Sequence, residues 1–282
     1  MLEPDFDAID RQLNAAADGR MRVFGIRRCG QHAVINWILR NCGRDDQVFL
    51  NSCTMGRSPI RLCGQAEINM EPAGRAWRLK RRLESALSGG MSPFVLISYE
   101  AGYPPELYAE GSLTNGFVNS DFDAEVLVTR SFVNWLPSFI RLMRLMNPDS
   151  PPEALEISNG IIFEMMRYKA HLIAASESGH LVISYDQWFF NPSYRRAMLK
   201  SLGLPCTDNG HGDVQIYGGG SSFSGHDMPA AALEINARWK TMRDDPFAKR
   251  FLHLALADEG FMDALSQSYP NDMAIIDALL SE

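Results

Sequence analysis

The stretch that decides the fold is Val23-Phe24-Gly25-Ile26-Arg27-Arg28-Cys29-Gly30-Gln31-His32-Ala33-Val34-Ile35-Asn36-Trp37. A β-like run, Met21 to Ile26, stops at two arginines and a glycine. A helical pattern follows at once, with Val34, Trp37 and Ile38 on one side and Ile35, Leu39 and Cys42 beside it. Strand, tight basic turn and helix N-terminus together make an anion site. The first turn of a helix leaves backbone N–H groups without intrahelical acceptors, and the aligned peptide dipoles gather positive charge there. Arg27 and Arg28 add full charges at the same point. The turn departs from the Walker pattern Gly-x-x-x-x-Gly-Lys-Ser/Thr. No Lys-Ser/Thr follows Gly30, so no hydroxyl is placed for magnesium. That argues against an ATPase or kinase, though not against phosphate binding.

Outward from this stretch, strand-like and helix-like segments alternate. Pro4 to Asp18 reads as an amphipathic helix carrying Phe6, Ile9 and Leu13. Gly43 is placed to end the helix after the turn, and Gln47 to Leu50 reads as a second strand. Asn51 to Pro72 shows no period and reads as a long loop. Glu71 to Ser88 reads as a helix stopped by Gly89-Gly90, and its basic run Arg75 to Arg82 as a solvated face. Pro93 to Tyr99 is a continuous apolar strand with Glu100 at its carboxyl end. Tyr103 to Ser120 reads as loop, and Ala124 to Thr129 as the next strand, followed immediately by Arg130. Trp135 and its apolar neighbours recur at helical spacing. Pro137 then places the helix start near Asn134, since proline is tolerated in a first turn. Glu153 to Ser176 reads as a long helix with Met165-Met166 in its core face, and His180 to Tyr185 as another strand. Asn191-Pro192 opens a helix that ends at Gly203, Cys206 to Pro229 is irregular, and the last fifty or so residues are helical in pattern.

Such alternation predicts an α/β fold with a parallel sheet flanked by helices and a helical C-terminal part. A single domain over residues 1–282 is expected, its core about 21–240 and C-terminal helices 241–282. Ligands of such sheets bind outside the strand carboxyl ends. Arg27, Arg28, Glu100 and Arg130 all fall there and are expected to converge on one cleft.

With 27 basic against 34 acidic residues the chain carries net charge −7, so a global basic footprint for nucleic acid is absent and any polyanion site is local. No apolar run approaches the ~20 residues needed to span a bilayer. The N-terminus is acidic, unlike a signal peptide. The five cysteines are odd in number and form no Cys-x-x-Cys pair, which favours reduced thiols in a cytoplasmic setting over a disulfide framework or zinc site. Cys29 at a helix N-terminus is a candidate redox-sensitive thiol. Tyr185 and Asp186 read as structural.

Arg130 with Ser138 forms a second candidate anion site, an arginine at a strand end and a serine on the following helix. These residues carry a resemblance to the PAPS-dependent sulfotransferases (PAPS is 3′-phosphoadenosine 5′-phosphosulfate; PAP is its product). That family grips the 5′-phosphosulfate with Pro-Lys/Arg-Ser-Gly-Thr-Thr/Ser. Arg27-Arg28-Cys29-Gly30-Gln31-His32 stands in that place, with Ala33 next on the helix. The family's 3′-phosphate site, an Arg at a strand end and a Ser eight residues on, matches Arg130 and Ser138. Ile183-Ser184-Tyr185-Asp186-Gln187-Trp188, Asn191-Pro192 and Leu202-Gly203-Leu204 resemble its downstream segments. The resemblance covers roughly residues 21 to 240 and implies a P-loop-like sulfotransferase fold. It departs where Ser-Gly-Thr-Thr becomes Cys-Gly-Gln-His, and where the family's Arg-Lys-Gly loop is absent. The stretch Gly218 to Phe223, including Ser221, Ser222 and Phe223, with Arg238-Trp239, stands in for that loop.

The resemblance implies transfer of a sulfuryl group from PAPS, without a metal, to a hydroxyl of a glycan or small metabolite. Arg28 then stabilises charge on the leaving phosphate. Glu100 is the candidate base, and His32 its rival one helix turn from the phosphates. The alternatives are a P-loop-like nucleotide-binding kinase and a non-catalytic nucleotide-binding protein. The oligomeric state is not legible.

Overall fold

The computed structural model describes residues 5–100, 116–151, 160–177, 180–214, 223 and 229–281. In chain order the elements are α1 (Phe6–Ala16), β1 (Arg20–Gly25), α2 (Gln31–Arg40), β2 (Gln47–Asn51), α3 (Pro59–Leu62), β3 (Gln65–Ile68), β4 (Glu71–Pro72), α4 (Trp77–Ser88), β5 (Phe94–Tyr99), β6 (Ala124–Thr129), α5 (Phe132–Met146), α6 (Ile161–Glu177), β7 (Leu181–Ser184), α7 (Tyr185–Phe190), α8 (Pro192–Ser201), α9 (Pro246–Leu256), α10 (Glu259–Ser268) and α11 (Pro270–Ser281).

The strands form one sheet in the order β4-β3-β2-β5-β1-β6-β7. β2, β5, β1, β6 and β7 run parallel, while β3 and β4 add an antiparallel edge. Alternate strand residues feed two separate cores, as the two-residue side-chain period requires. Met21, Val23, Leu96, Val126 and Val128 pack under α2, α5, α6 and the C-terminal helices. Phe24, Val95, Ile97, Tyr99 and Leu127 pack on the other face under α1, α3 and α4. A sheet covered on both faces explains why β5 reads as an unbroken apolar run. Pro72 sits on the edge strand β4, where a missing ladder donor is tolerated.

Chain direction positions the site. From β1 the chain crosses through α2 to β2 on one side. From β6 it crosses through α5 and α6 to β7 on the other. The carboxyl ends of β1 and β6 therefore flank the point where the connections diverge, the usual ligand crevice of such sheets. A carboxylate from the far C-terminus reinforces it. Ser131 precedes α5 without capping it by its own side chain. Asp272 Oδ2 instead accepts the N–H groups of Phe132 (2.7 Å) and Val133 (3.3 Å), and its Oδ1 accepts the Ser131 hydroxyl (2.8 Å). Asp186 Oδ2 accepts the Ser131 N–H at 2.8 Å. Residues next to Arg130 are thus tied to both α7 and α11.

Several expectations are corrected. Asn51 to Pro72 is not one loop: it contains α3, opened by the Ser58 hydroxyl as N-cap, and the strands β3 and β4. Those strands are too short to show a period. The helix expected from Glu71 begins only at Trp77, because Glu71 and Pro72 pair with β3. α5 begins at Phe132, which leaves Pro137 inside the helix. β7 ends at Ser184, and Tyr185 already belongs to α7. Met166 is 60% exposed, whereas Met165 is buried, so only one of the pair is core. The expected loop and helix assignments at 101–115 and 152–159 lie outside the described residues.

Candidate functional site

The turn after β1 is built on two left-handed residues. Arg28 has φ +69 and Gly30 φ +91. A Cβ on Gly30 would lie 2.5 Å from the Tyr185 ring, so this position demands glycine for both backbone and space. Cys29 N–H donates to the Ile26 carbonyl at 3.1 Å and closes the turn. Trp135 Nε1 donates to the Arg27 carbonyl at 2.7 Å, and Arg130 donates to the Arg28 carbonyl at 3.0 Å. The N-cap of α2 is Gly30, which has no side chain to offer the helix N–H groups. Gly30, Gln31, His32 and Ala33 line the cavity, so the helix N-terminus lies at its wall.

Three guanidinium groups meet there: Arg28 from the turn, Arg130 from the end of β6, and Arg238 from the one-turn 3-10 helix Arg238–Met242. Arg130 also donates to the Ile235 carbonyl at 3.1 Å, and its guanidinium lies 5.2 Å above the Tyr185 ring. Burial, then the neighbouring Arg130 charge, lowers the Arg28 pKa. Burial, then Arg130, also pushes Arg238 down to about 9. Packing like charges this way is unfavourable in the free protein and is relieved by a bound anion.

A carboxylate stands beside the first turn of the same helix. Glu100, just past β5, accepts Gln31 Nε2 at 2.8 Å on Oε1 and the Ser52 hydroxyl at 3.2 Å on Oε2. His32 Nε2 lies 3.2 Å from Oε1. Gln31 and His32 occupy the first turn of α2, so one helix N-terminus holds both the anion cradle and the neighbours of the carboxylate.

All of these groups line one cavity of about 360 Å³: Arg27, Arg28, Gly30, Gln31, His32 and Ala33 with Glu100, Arg130, Tyr185 and Arg238. The expected convergence of Arg27, Arg28, Glu100 and Arg130 is therefore present. Apolar walls come from Leu142 and Met146 on α5, Trp188 and Phe189 on α7, and Leu233. His211 completes the wall, its ring centroid 4.5 Å from that of Phe189. Its segment is pinned by Asn41 Oδ1, which accepts the N–H groups of Thr207 and Asp208 at 2.9 Å each, and by Arg195, which donates to the Asn209 carbonyl at 2.9 Å.

Three expected ligands lie elsewhere. Ser138 is fully buried and does not line the cavity. Its hydroxyl donates to the Asn134 carbonyl at 2.9 Å and accepts Arg238 at 2.7 Å, which links it to the site through Arg238. Cys29 is buried beneath the turn, and burial pushes its thiol up to about 12, the opposite of a reactive thiolate. Phe223 lies 4.9 Å from the guanidinium of Arg238 and of Arg141, outside the cavity lining. Ser221 and Ser222 lie outside the described residues.

Tyr185, Trp188 and His211 were not legible as site residues. Tyr185 carried one usable signal, its place directly after a parallel strand. His211 carried none, since the wall it forms depends on long-range hydrogen bonds. Among the described residues no cluster of His, Cys, Asp or Glu is arranged to hold a metal, and no helix is long and apolar enough to cross a membrane. Comparison with protein-family models, curated proteins and solved structures finds no match.

Proposed function

We propose that the chain is a sulfotransferase that uses PAPS as donor and a hydroxyl compound, a carbohydrate or small metabolite, as acceptor substrate. One observation carries this reading: three guanidinium groups, Arg28, Arg130 and Arg238, line the same cavity as the α2 N-terminus, with a carboxylate, Glu100, beside its first turn. The arginines suit a donor with separate phosphate groups, and the Gly30 turn lets backbone approach an anion closely. The missing Lys-Ser/Thr after Gly30 favours this reading over a Mg-dependent kinase.

The donor, when bound, supplies a sulfuryl group on a phosphate leaving group, and its S–O bond to phosphate breaks as the bond to the acceptor oxygen forms. Everything else falls to the chain. Arg28 stabilises negative charge growing on the leaving phosphate oxygen. It acts electrostatically, since a guanidinium keeps its protons under ordinary conditions. Arg27 contributes charge at the rim. Arg130 and Arg238 grip the donor's second phosphate, and Ser138 orients Arg238 for that task. Glu100 takes the proton from the acceptor hydroxyl. His32 lies against Glu100 Oε1 and orients it, which makes the histidine a partner of the base rather than its rival. Holding both reactants in one cavity makes the transfer effectively unimolecular.

The test is an acceptor screen with radiolabelled PAPS, comparing wild type with Arg28→Ala and Glu100→Gln. Label is expected to pass to at least one alcohol with wild type and to fall about 100-fold or more with either variant, as removal of a preorganised charge or base implies. PAP binding without transfer to any acceptor would instead favour a nucleotide-binding protein.

A further inference from the structure

The carboxylate after β5 belongs to a closed ring of hydrogen bonds. His32 Nε2 lies 3.2 Å from Glu100 Oε1 and 3.0 Å from Asn51 Oδ1. Asn51 Oδ1 also accepts the Ser98 hydroxyl at 2.8 Å. Ser98 Oγ in turn accepts the Ser52 backbone N–H at 3.0 Å. The Ser52 hydroxyl donates to Glu100 Oε2 at 3.2 Å and closes the circuit. The ring joins β2, β5 and α2.

Its proton arrangement is fixed from outside. Asn51 Nδ2 donates to Gln65 Oε1 at 3.2 Å, which turns Oδ1 toward His32. Facing a carboxylate oxygen and an amide oxygen, His32 Nε2 must carry a proton. Glu100 then has three donors among the described residues: Gln31 and His32 on Oε1, Ser52 on Oε2. A carboxylate offers about four lone-pair positions, so the described donors leave one of them to a ligand. The ring is also held against backbone strain and away from solvent. Ser52 has φ +53, a left-handed conformation that strains a non-glycine residue and persists where the surroundings over-determine it. Asn51 and Ser98 are buried and neither lines the cavity, so Asn51 Oδ1 and the Ser98 hydroxyl act on it through the ring.

We infer that Asn51, Ser52 and Ser98 are positioning residues that fix the Glu100 carboxylate and the His32 tautomer, so that Glu100 meets an acceptor O–H in one orientation. Arg27 and Arg28 on the same cavity oppose a cationic amine there. The substrate statement rests on the sulfotransferase reading, while the ring does not.

The test reads the two parts separately in the full chain. In ¹⁵N-histidine-labelled protein, with His32 assigned by loss of its signals in His32→Gln, the neutral ring is expected as one Nε2–H tautomer. Asn51→Ala is expected to give averaged tautomers. In transfer assays Ser52→Gly, which relieves the backbone but removes the hydroxyl, is expected to lower kcat about ten-fold, the scale of a misplaced catalytic group. Its KM for PAPS and its thermal shift with PAP stay unchanged. Averaged tautomers in wild type, or full transfer by Ser52→Gly, would overturn the inference. A simple amine sulfated faster than its matched alcohol would overturn the substrate statement. If PAP leaves the wild-type melting temperature unmoved, the sulfotransferase reading fails, yet the tautomer measurement still decides the ring.

Discussion

Gly30 is the residue on which the cradle depends. Its φ of +91 and the Tyr185 ring 2.5 Å from any added Cβ leave no room for a side chain. Gly30→Ala should cost about 2–4 kcal/mol, from left-handed strain plus overpacking. Urea unfolding checks this, and the variant is expected to lose its response to PAP as well. Asp10 gives a residue-scale prediction away from the site. It is fully buried under α3, where burial raises its carboxyl to about 7 against opposing hydrogen bonds from Ser58 and Ile60. The folded pKa lies above the unfolded value of 3.8. Wild type therefore takes up a proton in the folded state alone between those values, and gains stability as pH falls from 7 toward 4. An asparagine in its place cannot titrate, so the stability difference Asp10→Asn minus wild type should be more favourable to the variant at pH 8 than at pH 5, by about 2–3 kcal/mol. A difference independent of pH would show that the carboxyl titrates normally. At this scale charge placement is the legible part of the sequence. Arg27, Arg28, Glu100 and Arg130 stand out because strand ends are visible. Ser138 and Cys29 depart from expectation because chain spacing says nothing about which way a side chain points.

At the scale of elements, α5 carries the clearest dependence on distant sequence. Its first N–H groups are satisfied by Asp272 on α11, 140 positions away from Phe132. A helix N-terminus buried without acceptors is costly. Asp272→Ala strands two buried N–H groups and should destabilise the protein by about 2–4 kcal/mol. Because Arg130 directly precedes this junction, the same variant is expected to weaken PAP affinity even though residue 272 does not line the cavity. Calorimetric unfolding and titration with PAP together check it, and unchanged affinity would mean that Arg130 does not need the cap. Such a tertiary cap cannot be read locally: Pro137 points to a helix start near Asn134, and nothing near Ser131 points to Asp272. The β3–β4 hairpin is illegible for a related reason. Strands of four and two residues fall below the length at which alternation can be read. The five parallel strands are legible because each is an apolar-rich run set beside a helical period, clearest in β5, whose six residues are all buried, and their carboxyl ends follow from direction alone.

The whole molecule adds what neither scale contains, the sheet order. Placing β5 and β6 on either side of β1 brings three strand ends, and with them Arg28, Glu100 and Arg130, around one α2 N-terminus. Sequence alternation predicts a parallel sheet but not this order, so convergence is an expectation until the topology is seen. The walls formed by Tyr185, Trp188 and His211 likewise exist only once β7 and the pinned segment around His211 are folded against α2. Net charge −7 makes the local cluster of arginines stand out further, since attraction of an anion must come from the cavity and not from the overall field. The central claim is that this cavity is a site for a nucleotide with two separated phosphate groups. Thermal unfolding with saturating PAP tests it most directly, because a ligand that binds only the folded state raises the melting temperature. The account predicts a clear rise with PAP, a smaller one with AMP, and none for Arg28→Ala. An unmoved wild-type melting temperature in saturating PAP would contradict it.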